Sequence, residues 1–146
     1  RLGLIHALAI MRRALAAIAI FVGLAAGAAE PPVPPINVHG DFDGDGAVDT
    51  ASLVQHTRQV VLTIRRASAP THDTFTFRVD PAAQDAICTL PAKLSTSPSF
   101  CTPMDEPLPG CEELPGKVDI SISDDACDAI HLYWDKREQR MAWWRL

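Results

Sequence analysis

Residues 50–66 read "TASLVQHTRQVVLTIRR". Two runs rich in β-branched residues, Thr50–His56 and Gln59–Arg66, flank a polar break at Thr57-Arg58. Apolar residues alternate in part along both runs, as they do on strands with one buried face. The stretch therefore predicts a β-hairpin, and with it an all-β fold.

The rest of the chain follows the same pattern. "DTFTFRV" (Asp73–Val79) places Phe75, Phe77 and Val79 on one face. "KVDISIS" (Lys117–Ser123) alternates strictly through Val118, Ile120 and Ile122. "AIHLYW" (Ala129–Trp134) and "RMAWWRL" (Arg140–Leu146) flank a charged turn and predict a closing hairpin. Ile36–Val38 predicts a short lead-in strand. The expected architecture is a small antiparallel sandwich or open sheet over residues 36–146, with no helical period after the N-terminal segment.

Cys88–Gly116 breaks the pattern. It holds six of the chain's twelve prolines and three of its four cysteines. Proline has no amide to donate, so a long irregular loop is expected there, not a central strand or a helix. The cysteine spacings contain no C-x-x-C pair, which argues against a zinc knuckle or a thioredoxin-like site. Two disulfides are expected. The preferred pairing is nested, Cys101 with Cys111 and Cys88 with Cys127, which would pin the tip and base of the loop.

Upstream, "MRRALAAIAIFVGLAAGAAE" begins at Met11 with two arginines and an apolar run, and ends near the small-x-small triplet Ala26-Gly27-Ala28. That layout predicts a secretory signal over residues 1–28, with Met11 as the expected start. A proline-rich linker, residues 29–35, follows. The expected destination is the periplasm or the medium, with no membrane association beyond the signal. All eighteen acidic residues but only ten of the thirteen basic ones lie after the signal, giving −8 there against −5 for the whole chain. Such an acidic surface repels phosphate backbones, so no nucleic-acid partner is expected.

Between the lead-in strand and the hairpin lies "GDFDGDGAVDTA", Gly40–Ala51. Asp41, Asp43, Asp45 and Asp49 occupy offsets 1, 3, 5 and 9, with Gly44 and Gly46 among them. Alternate aspartates converge only if the chain coils tightly, and glycines permit the coil. Converged carboxylates repel unless a counter-charge is present. Calcium, a hard cation that takes six to eight oxygens at flexible angles, supplies one.

The loop is similar to two known patterns. It matches the EF-hand at offsets 1, 3, 5, 6 and 9, but Ser52 stands where that family has a bidentate glutamate. Its flanks are also β-like, and no second loop of the dockerin kind exists. The closer resemblance is to the FG-GAP/VCBS-type repeat, in which a "DxDxDGxxD" loop joins two strands after a glycine. "GDFDGDGAVDTASLV" (Gly40–Val54) has these features. The resemblance implies calcium ligands at Asp41, Asp43, Asp45 and Asp49, with the carbonyl of Ala47 as a fifth. It also implies that Val48 points into the core beneath the loop. A single copy excludes a complete propeller.

Other features carry less. Trp134, Trp143 and Trp144 are expected mainly in the core, although the adjacent pair must face opposite sides. The histidines are scattered, and His39 flanks the aspartate loop without being a suitable calcium ligand. "SDDACD" (Asp124, Asp125, Asp128) reads as a solvated turn. No nucleophile elbow or phosphate loop is present. The leading expectation is an exported, non-enzymatic calcium-binding domain whose ion is structural. The alternative is an interaction module, an inhibitor or a glycan or envelope binder. A metal-dependent hydrolase comes third, and a pocket beside the aspartate loop is the feature that would favour it.

Overall fold

A computed structural model describes residues 33–146. The expected signal segment and the linker as far as Pro32 lie outside the described residues. The described chain is all-β. Its first sheet runs in sequence order through β1 (Ile36–Gly40), β2 (Asp49–His56), β3 (Gln59–Arg65) and β4 (His72–Arg78). The second contains β5 (Lys93–Pro98), β6 (Val118–Ser123), β7 (Ile130–Asp135) and β8 (Arg140–Trp144) in the same sequential order. Every pairing within the two sheets is antiparallel.

The β2–β3 hairpin is where the sequence placed it. Leu53 pairs with Leu62 and Ala51 with Ile64, and all four are fully buried. Their facing partners in the core are Ile120, Ile122, Ile130 and Leu132 from the second sheet. A single cluster spanning both sheets makes this a sandwich and not an open sheet. Each of these leucines and isoleucines contributes roughly 1.5–3 kcal/mol by leaving water.

The proline-rich stretch departs from expectation. A strand, β5, forms within it. It lies at a sheet edge, pairs only with β6, and reaches a proline only at its last residue, Pro98. An edge strand needs ladder hydrogen bonds on one side alone, so the prolines that forbid a central strand permit this one. Beyond Pro98 the chain folds across the outer face of the second sheet. Ser99 Oγ and the Phe100 amide donate to Asp119 at 2.8 and 3.0 Å. Tyr133 Oη donates to the Pro109 carbonyl at 3.2 Å, and the Lys136 amide to that of Gly110 at 2.9 Å. This cover explains why the outward-facing Asp119, Tyr133 and Asp135 are nonetheless buried. Gly110 is required there, because its φ is 67° and a Cβ would collide with the Asp135 carboxylate.

Both disulfides form in the nested pairing, Cys88–Cys127 and Cys101–Cys111. They fit folding in an oxidising environment. The acidic turn after β6 is not simply solvated. Asp124 is buried and accepts the amides of Cys88, Ala126 and Cys127 at 2.8, 2.8 and 2.9 Å. Burial alone would raise its pKa, but these amides hold it below the usual carboxylate value. Trp134 is in the core, while Trp143 stays 39% exposed and packs edge-on against Phe77.

Candidate metal centre

The aspartate loop connects β1 to β2 and sits at the seam between the sheets. The Asp41 carbonyl accepts the Val118 amide at 2.9 Å, so the loop's first residue bridges to the start of β6. Gly44 and Gly46 take φ values of 81° and 84°, the left-handed region that lets the loop coil. A Cβ on Gly44 would also lie 2.7 Å from Leu114 Cδ1.

The coil gathers three of the four aspartates. Asp41, Asp43 and Asp49 each offer a carboxylate oxygen, and these oxygens lie within 4.8 Å of one another. Asp41 is held by the amides of Gly44 and Gly46, which donate to its two oxygens at 2.7 and 2.9 Å. Asp49 is 1% exposed, and its two oxygens accept the amides of Phe42 and Ala67 at 3.0 and 2.8 Å. A carboxylate oxygen has two acceptor sites, so these bonds leave room for a cation.

Asp45 stands outside this group. It is exposed and accepts the Ala47 amide at 2.7 Å. The Ser68 hydroxyl and that amide hold its pKa below the usual range. Val48 does not point into the core: it is 69% exposed. Phe42, between the first two aspartates, is the fully buried residue beneath the loop. The reason is parity around a tight coil: with the aspartates drawn together on one side, Phe42 is left facing inward.

Burial pushes the Asp43 carboxyl up, and the Asp49 and Asp45 charges add to that push. The Asp45 amide and Arg66 pull the other way. This is an all-oxygen, partly desolvated donor set that could hold a metal ion, with Arg66 already offsetting part of its charge. A second grouping, Cys88, Asp124 and Cys127, offers no thiolate because both cysteines are in the disulfide.

Three residues near the loop carried no signal in the sequence. Arg66 stacks over Trp134 at 4.4 Å and lies 3.7 Å from Asp43. Lys117 is 3% exposed, and its ammonium donates to the Glu112 carbonyl at 2.7 Å. Together with the loop they line a cavity of about 360 Å³. Comparison with protein-family models, curated proteins and solved structures finds no match for this chain.

Proposed function

We propose that this chain is an exported, non-enzymatic β domain whose aspartate loop binds calcium as a structural ion. The observation that carries the reading is the convergence of Asp41, Asp43 and Asp49 on one point at the seam between the sheets. An ion there ties the β1–β2 connection together at the place where the loop also meets β6. The FG-GAP/VCBS-type resemblance and the Gly44 and Gly46 backbone support the same reading. The two disulfides support export.

Calcium titration by calorimetry tests it. With no acidic residue at offset 12, the dissociation constant should be on the order of 10⁻⁴ to 10⁻³ M. Absence of calcium-dependent heat at millimolar ion would remove the reading.

The cavity beside the loop favours a second reading, the metal-dependent hydrolase, because it is the feature such an enzyme would need.

A further inference from the structure

We infer that β4 pairs edge to edge with β4 of a second copy of this chain, joining the first sheets of the two copies into one. β4 is an outer strand, hydrogen-bonded to β3 alone.

Its register shows which backbone groups are left over. Successive residues of a strand turn their N–H and C=O to opposite sides. The Val79 amide donates to the Arg58 carbonyl, on the β3 side, at 2.8 Å. The Arg78 carbonyl points the other way, where it accepts the Ile87 amide at 2.9 Å. Pairing with β3 is unbroken from His72 to Arg78. Asp73, Phe75 and Phe77 therefore bond to β3, while Thr74 and Thr76 turn both backbone groups outward. Those outward groups have no partner among the described residues.

The other outer strands, β1, β5 and β8, differ. β1 follows Pro34 and Pro35, β5 carries Lys93 and Pro98, and β8 begins at Arg140 with Arg145 directly after it. Proline and charged side chains discourage pairing at an edge. β4 has neither proline nor lysine, its charges lie at its ends, and Thr74–Phe77 is uncharged.

A second copy fits this row by length and by charge. The row is short, because Ile87 already occupies the edge at Arg78. An identical short row, run antiparallel about a two-fold axis at Phe75, matches it. Thr74 of each copy then stands opposite Thr76 of the other, and each such pair exchanges both of its backbone bonds. Phe75, half-buried and stacked on Phe77 with centroids 6.3 Å apart, meets its counterpart at the non-hydrogen-bonded position, where side chains approach most closely. On the outer face His72 of each copy comes beside Arg78 of the other. That arginine lies between Asp80 and Asp85, at 3.8 and 3.2 Å, a net negative group that suits an imidazole donor or cation. A contact this small belongs to the weak, concentration-dependent class.

Sedimentation equilibrium up to millimolar protein, with amide hydrogen exchange on the same samples, tests the inference. The mass should rise toward that of a dimer, and the Thr74 and Thr76 amides should exchange several-fold more slowly at high concentration than at low. Thr76→Pro removes an amide that β3 does not use, and an edge strand tolerates proline. It should keep the fold and weaken association at least tenfold. His72→Glu, which sets a carboxylate against Asp80 and Asp85, should weaken it several-fold. A monomeric mass at every concentration would overturn the inference. So would a mass rise that Thr76→Pro leaves unchanged, or protection gained along β8 in place of Thr74 and Thr76. Should Thr76→Pro not fold, the exchange pattern of the wild type decides by itself.

Discussion

Asp49 accepts the amide of Phe42 through one carboxylate oxygen, at 3.0 Å, and the amide of Ala67 through the other. This buried carboxylate joins the start of the loop to the segment after β3, and it fixes Phe42 over the core. Asp49 is thus a brace for the fold as well as a candidate ligand. Asp49→Asn turns one acceptor into a donor facing an amide N–H. It should cost about 1–3 kcal/mol even with chelator present. Urea denaturation in chelator checks this, and an unchanged midpoint would mean that the brace contributes nothing.

Asp43 and Asp45 separate two versions of the ligand set. The family resemblance includes both, whereas only Asp43 lies with Asp41 and Asp49 in the structure. Asp43→Asn should weaken calcium at least tenfold, equivalent to about 1.4 kcal/mol. Asp45→Asn should change it only a few-fold. Equal losses in titrations of the two variants would restore Asp45 as a ligand.

The disulfides should differ in their contribution. Cys88–Cys127 spans 39 residues and Cys101–Cys111 spans 10. Loop-closure entropy assigns them about 4 and about 3 kcal/mol respectively. Replacing each pair by serines and comparing melting temperatures should show the larger loss for the longer loop. The reverse order would mean that local packing, not chain entropy, sets their value.

Strand periodicity made most of the fold legible. Leu53, Leu62, Ile120 and Ile122 are where alternation put them, because a half-buried strand writes its buried face directly into the sequence. The edge strand β5 was hidden, since only Leu94 on it is buried and so no alternation shows. In the site, the spacing of the aspartates exposed the cluster but not which member would be left out. That depends on how Gly44 and Gly46 coil the backbone. Arg66, Lys117 and Trp134 reach the loop through tertiary packing, and a contact between such distant positions leaves no local trace.

His131 should give the protein a specific response to acid. It stacks on Trp144 with ring centroids 4.4 Å apart, and burial lowers its pKa below the ordinary 6.5 despite the opposing pull of Asp119. The unfolded chain therefore binds the proton more readily than the folded one. The resulting stability is complete above about pH 6.5 and declines as pH falls through the folded value. His131→Phe keeps a stacked ring and removes the proton. Between pH 7.5 and 5.5 its melting temperature should fall less than that of wild type. Equal falls would place the acid response elsewhere.

The central claim is that the loop's ion stabilises the fold, and thermal melting in calcium and in chelator at matched ionic strength tests it most directly. A dissociation constant near the weak limit, about 10⁻³ M, and 10 mM ion give about 1.4 kcal/mol of stabilisation. For a domain of this size that raises the melting temperature by several degrees, on the order of 5 °C. Asp43→Asn should lose most of that rise. A wild-type melting temperature identical in calcium and in chelator would contradict the account.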